Sequence, residues 1–423
     1  MLLCGIGYVC CLVNMDGIKL ISLIIVLSAG LAFINIRYLK LPSTIGLMVL
    51  SLLFSLVLLV AGTSSLVGRF VADTMAQIDF SDFLLDFMLG FLLFAGALHT
   101  DLKKLRKAKW PILTYATVGI LISTSLVAAC IYVLLPFLYQ PVDFIYCLLF
   151  GALISPTDPI AVLSILKKAG ISESIETKIT GESLFNDGVG VVVFLTLFSI
   201  ANQGLSEVST SEIIILLAEE VAGGILLGLA LGYLGFIMMK KIDHYQTEVL
   251  ITLAMVMGGI SLAPLFHFSG PLAMVIAGLF IGNKGALEAM SEQTSDYVHK
   301  FWEMVDEIFN AILFVVIGLE LLIIPFKVSF LYVGLAAIII VLLSRFISLV
   351  TPSYMFRLEY EFPRKTFLIM TWGGLRGGIS IALALSLTEG MERNMIVCVT
   401  YIVVLFSIIV QGLSLERVVK KLK

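Results

Sequence analysis

The feature that most limits what this chain can fold into is a succession of apolar stretches separated by short polar breaks. Each is close to the roughly 20 residues that cross a bilayer core as a helix. Thirteen are distinguishable in the 423 residues, at about 18–38, 42–61, 80–99, 110–136, 143–166, 175–201, 213–239, 245–263, 271–283, 301–323, 328–350, 365–387 and 394–414. Composition agrees. Hydrophobic residues make up 60% of the chain, charged residues only 13%, and the mean hydropathy is +1.08. A soluble globule needs roughly 25% charged residues to cover its surface. A soluble domain, a disordered chain and a nucleic-acid-binding protein are therefore excluded, and an all-α polytopic membrane protein is expected.

Lysine and arginine collect on the cytoplasmic side of membrane proteins, which tests the span count. With thirteen spans, 21 basic residues fall on one side, including the cluster Lys103, Lys104, Arg106, Lys107 and Lys109. Four (Lys19, Arg69, Lys327 and Arg393) fall on the other, and Arg345 and Arg376 lie within spans. One miscounted span would scramble this alternation. The split thus predicts an amino terminus outside and a carboxyl terminus inside. The apolar start, Met1–Val13, lacks a basic leader and a cleavage site, which makes a poor signal peptide. Met1 and Met15 are equally good as the start of the chain. No loop is long enough for a soluble domain, and there is no Walker A lysine motif. The six cysteines (Cys4, Cys10, Cys11, Cys130, Cys147 and Cys398) form no CxxC pair and read as small hydrophobes.

Two spans are interrupted near their centres. The fifth carries Ser155-Pro156-Thr157-Asp158-Pro159, where each proline removes a backbone donor and clashes with the preceding turn. The twelfth carries Gly373-Gly374-Leu375-Arg376-Gly377-Gly378. If spans 1–6 (about 18–201) and spans 8–13 (about 245–414) are two repeats linked by the span at 213–239, each interruption falls in the fifth span of its repeat. An odd linking span makes the repeats opposite in orientation. Paired interrupted spans at matching places point to a transporter site at mid-membrane.

The polar constellation lies beside the first interruption, in Gly181-Glu182-Ser183-Leu184-Phe185-Asn186-Asp187-Gly188. On a helix, Ser183 and Asp187 share one face and Glu182 and Asn186 the adjacent strip. Hard cations take oxygen ligands of this kind. A carboxylate also takes a proton, and burial disfavours its charged form. Asp187 can therefore hold a proton or a monovalent cation, but not both, which suffices for exchange. Thr157 is positioned to offer an oxygen, so Asp187, Ser183, Thr157, Asp158 and Asn186 form the expected cation and proton site. A lone Arg376 at mid-bilayer is costly, by roughly 2.5–3.5 kcal/mol on insertion scales. Glu182 is its favoured partner in a structural ion pair, with Asp158 as the alternative. Otherwise Asp158 neutralises the helix dipole exposed where the fifth span breaks. Arg345 is read as lying near a span end and snorkelling to the interface. Glu219 and Glu220 read as helix packing, and Glu303, Asp306, Glu307 and Glu320 as the wall of a solvated funnel. The four histidines, His99, His244, His267 and His299, sit at span ends or in loops.

At these residues the chain resembles the monovalent cation:proton antiporters of the sodium/proton exchanger superfamily, in the bacterial NhaP-like branch. The resemblance is carried by Ser155–Pro159, the Asn186-Asp187 pair in Gly181–Gly190, Ala277–Asn283, Phe314–Leu319 and Gly373–Gly378. It implies thirteen helices, a homodimer and a mobile six-helix core. It implies Asp187 as the ion- and proton-binding carboxylate, Ser183 and Thr157 as further ligands of transported Na+, Glu182 paired with Arg376, and Asn186 steadying the crossing. Relatives with asparagine in the Asn-Asp pair resemble electroneutral exchangers. The chain departs from the family in span 3, where relatives carry an acid and this sequence has Ala95 in Leu93-Phe94-Ala95-Gly96-Ala97-Leu98. Asp82 and Asp86 are not assumed to replace it.

The leading expectation is thus a secondary antiporter of the inner or plasma membrane, exchanging Na+ or Li+, and K+ as a third candidate, for H+. The alternatives are a passive cation channel and a proton-coupled solute transporter. No HExxH, GxSxG or Cys/His cluster suggests an enzyme, and no cofactor is expected, the ions being cargo.

Overall fold

The computed structural model describes residues 15–61, 87–158, 166, 171, 173–203, 210–320, 327–356, 364–388 and 390–422. Asp82, Asp86, Pro159 and the first three cysteines lie outside them. Among the described residues every regular element is helical. Eight helices are long and apolar enough to cross a membrane, and one bent pair, Lys365–Gly373 with Gly378–Leu385 at 49°, makes a ninth span. Three shorter apolar helices, Ser43–Leu58, Leu89–Leu98 and Phe144–Ile154, fall where the second, third and fifth spans are expected.

The described residues divide into two units. The first takes Met1–Phe80 and Ile308–Pro325. It holds α1 (Met15–Ile34) and α2 (Ser43–Ala61). Ser51 Oγ of α2 donates to the carbonyl of Phe314 at 2.9 Å, so a hydroxyl in an apolar helix finds an acceptor.

The second unit takes Ser81–Glu307 and Phe326–Lys423. In order it contains α3 (Leu89–Leu98), α4 (Leu102–Lys107), α5 (Lys109–Leu138), α6 (Phe144–Ile154), α7 (Glu173–Gln203), α8 (Thr210–Met239), α9 (Tyr245–Leu262) and α10 (Gly270–Phe280). Then come α11 (Glu292–Glu320), whose end belongs to the first unit, α12 (Val328–Met355), α13 (Arg364–Trp372), α14 (Gly378–Leu385), α15 (Arg393–Phe406) and α16 (Leu413–Leu422). α10 packs between α3 and α8, and α5 between α6 and α12.

Small residues set these crossings. At Gly278 a side chain would begin 2.6 Å from the Phe94 carbonyl of α3, and at Gly151 it would meet the Thr124 carbonyl of α5. Backbones that approach this closely exchange dispersion energy that lipid cannot match. Because a carbonyl cannot rotate out of the way, Gly151→Val should destabilise the protein by at least about 1–3 kcal/mol. A lowered unfolding temperature in detergent, with a smaller drop for Gly151→Ala, is the expected reading.

The helix ends depart from the expected spans in one consistent way. α11 starts at Glu292 and α12 runs to Met355, rather than from 301 and to 350. The extra turns of α11 are polar, as in the exposed Lys300–Asp296 pair at 2.6 Å, so hydropathy does not register them although the helix continues.

Candidate functional site

The site grows out of the two interruptions. α6 stops at Ile154, after which Ser155, Pro156, Thr157 and Asp158 run outside any helix. Pro156 cannot donate, so carbonyls here lose their helical partners. Arg376, in the non-helical stretch between α13 and α14, takes them up. Its Nη1 donates to the Pro156 carbonyl at 2.8 Å and to the Ser155 carbonyl. Its own backbone N–H donates to Ser407 Oγ at 2.9 Å. The two interruptions also bond directly, Asp158 N to the Leu375 carbonyl at 2.8 Å. A side chain at Gly377 would begin 2.5 Å from Asp158 Oδ2, so the carboxylate sits at the amino end of α14. Its dipole-neutralising place is therefore the second broken span rather than the first.

The expected ion pair is corrected. Glu182 does not bond Arg376; it accepts both arms of Arg345, Nη1 to Oε1 at 2.5 Å and Nη2 to Oε2 at 2.8 Å. Nor does Arg345 snorkel. It lies well inside the continuous α12 and is only 6% exposed, while Glu182 is 1% exposed. The longer α12 keeps Arg345 well inside the helix, where its fork meets the Glu182 carboxylate in two parallel bonds, while Arg376 is occupied by the broken-helix carbonyls. At Gly374 a side chain would begin 2.9 Å from Arg345 Nε, so that glycine makes room for the pair.

Along the unbroken α7, Ser183, Asn186 and Asp187 follow Glu182 and are all buried. Ser183 Oγ lies 3.2 Å from Thr157 Oγ1. Asn186 Nδ2 donates to Thr157 Oγ1 at 2.8 Å, and its Oδ1 accepts from Thr157 N at 3.3 Å. The expected residues Thr157, Ser183 and Asn186 are thus brought into one contact set, with Asp158 beside it. Asp187 is one turn from Ser183 and 5% exposed. Among the described residues no ion pair holds it. The charged groups acting on it are Asp158, Glu182 and Arg376.

Elsewhere, Ala95 is fully buried in α3, and its neighbour Phe94 packs on Trp302 with ring centroids 4.6 Å apart. Glu219, Glu303 and Glu307 are exposed, and Glu220 and Asp306 half-buried. The sequence reading missed Arg345 as the partner of Glu182. It also missed the approach of His99 to His299, 200 residues apart. The available signal for Arg345 was an arginine inside an apolar span, where burial calls for a polar partner.

An all-helical chain with two interrupted spans bonded to each other beside a buried carboxylate has the build of a membrane transporter. The sequence profile described as sodium/hydrogen exchanger, transmembrane, matches residues 23–421. The chain belongs to that family, one of transporters rather than enzymes. It is 49% identical over 416 residues to the Na+/H+ antiporter NhaP of Pseudomonas aeruginosa, covering 96% of this chain and 97% of that one. It is 33% identical over 412 residues to the Na+/H+ antiporter NhaH of Halobacillus aidingensis, covering 95% and 97%. The fold is similar to that of the sodium proton antiporter MjNhaP1 from Methanocaldococcus jannaschii at pH 8, with a TM-score of 0.76 at 21% identity over 96% of this chain and 99% of that one.

Proposed function

We propose that this multi-pass membrane protein is a Na+/H+ antiporter that works by alternating access, with Asp187 binding a cation and a proton in turn. Family membership and the names of the relatives support the exchange of Na+ for H+. The observation that carries the site assignment is that Asp187 is buried one turn from Ser183, beside the Thr157–Ser183–Asn186 contacts, and that no ion pair among the described residues holds it. Glu182 is taken up by Arg345, and Arg376 donates to the Ser155 and Pro156 carbonyls rather than to a carboxylate, so neither arginine is ion-paired to Asp187. One proton neutralises it, and so does one monovalent cation, which favours an electroneutral one-for-one exchange. Ser183 and Thr157 supply the neighbouring oxygens for the ion, and Asn186 holds Thr157 in place.

The orientation proposed is an amino terminus outside and a carboxyl terminus in the cytoplasm, supported by the basic-residue split. Two inverted six-span repeats, thirteen spans, an inner-membrane location and a homodimer are part of the same reading, the repeats and span count supported by the paired interruptions and the basic-residue split. A pH-sensitive dye in everted vesicles tests the function. Adding Na+ or Li+ should collapse an imposed proton gradient, and a K+ series defines selectivity. Cation flux without coupled proton movement would refute the antiporter.

A further inference from the structure

His99 and His299 reach one another from separate helices. His99 caps the carboxyl end of α3, and His299 lies in the second turn of α11. Their Nδ1 atoms are 3.4 Å apart, with ring centroids 5.2 Å apart and planes tilted by 40°. A hydrogen bond between the ring nitrogens at that distance is long and weak. The separation fits a different chemistry. Two imidazoles each about 2.0–2.1 Å from one tetrahedral ion stand about 3.3–3.4 Å apart, nitrogen to nitrogen.

The surroundings suit an ion. Both histidines line a cavity of about 270 Å³ with Thr100, Asp101, Lys103 and Asn283 on its wall, ample for a metal and its waters. Glu303 follows His299 by one turn on the same helix face and attracts positive charge at His99. Asp296 does the same at His299, while also bonding Lys300. Lys103 opposes them. Asp101 is engaged at the start of α4, where it accepts from Lys103 N and Lys104 N.

We propose that His99 and His299 form a binding site for a divalent transition-metal ion of the Zn2+ class, distinct from the Asp187 site. Imidazole nitrogen suits such ions, whereas Na+ and K+ take oxygen. Among the described residues no third side chain closes the cage, so water completes the coordination and the site stays open to exchange. The backbone and helix that carry the two rings are tied down nearby. The His99 backbone N–H is tied to the Ala95 and Ala97 carbonyls. α11 is held against α3 by Trp302, whose ring centroid lies 5.8 Å from that of Phe91 and 4.6 Å from that of Phe94. A bound ion would join the end of α3 to α11 and strengthen this contact.

The full-length protein, purified without a polyhistidine tag in Na+-free buffer, provides the test. Titration with Zn2+ by calorimetry, and with Co2+ by visible absorption, should show one site per chain, with the intense bands of tetrahedral nitrogen coordination. The unfolding temperature should rise with Zn2+. His99→Ala and His299→Ala should each weaken binding by roughly tenfold or more and remove the thermal shift. His244→Ala and His267→Ala should leave both intact. Should an alanine variant fail to fold without metal, His99→Gln and His299→Gln serve in its place. Absence of binding, or binding unchanged by loss of either histidine, would overturn the site and leave the two rings as a packing contact.

Discussion

Asp187→Asn should abolish Na+- and Li+-driven proton movement while leaving a folded protein. The side chain is 5% exposed, and among the described residues no ion pair holds it, so the amide replaces it without breaking one. An amide has nearly the same shape, but it accepts no proton at physiological pH and gives a cation no charge. Both halves of the exchange are lost together, so dye recovery in everted vesicles should fall to the level of vesicles without the protein. The unfolding temperature should rise or stay unchanged, because burying an amide costs less than burying a charge. A variant that still releases protons on addition of Na+ would move the exchange site elsewhere.

The second large effect falls on stability. Arg345→Ala should destabilise the protein by about 3–5 kcal/mol, because Glu182 is then left as a buried charge without its two-armed partner. Expression and unfolding temperature in detergent would report it. The double variant Glu182→Gln with Arg345→Met removes both charges and should recover a substantial part of the loss. By contrast, Arg376→Ala leaves the Glu182–Arg345 pair in place and releases the carbonyls of Ser155 and Pro156. If Arg345→Ala proved harmless while Arg376→Ala unfolded the protein, the assignment of partners would be wrong.

These residues also mark how far the sequence could be read. The helical membrane class was legible because bilayer thickness forces long apolar stretches. The interrupted spans were legible because proline and clustered glycine announce themselves locally. Helix periodicity placed Ser183 beside Asp187 and Asn186 beside Glu182, but the contact of Thr157 with Ser183 and Asn186 appears only in the fold. The choice between two arginines for Glu182 was not legible either. It depends on how far α12 continues past Val350 and on which arginine faces broken-helix carbonyls, and neither is encoded in local pattern. Periodicity along one helix likewise says nothing about which distant helix end will face it, as His99 and His299 illustrate. Hydropathy also placed the start of α11 too late, because its first turns are helical but polar.

The mutual bonding of the two interruptions has a mechanical consequence. Asp158 bonds Leu375, and Arg376 bonds Ser155 and Pro156, so neither half-helix can slide without dragging the other. The crossing behaves as a knot rather than a hinge. On the proposed alternating access, a displacement that exposes Asp187 first to one compartment and then to the other would carry this knot whole, and the oxygens around the proposed cargo would travel together.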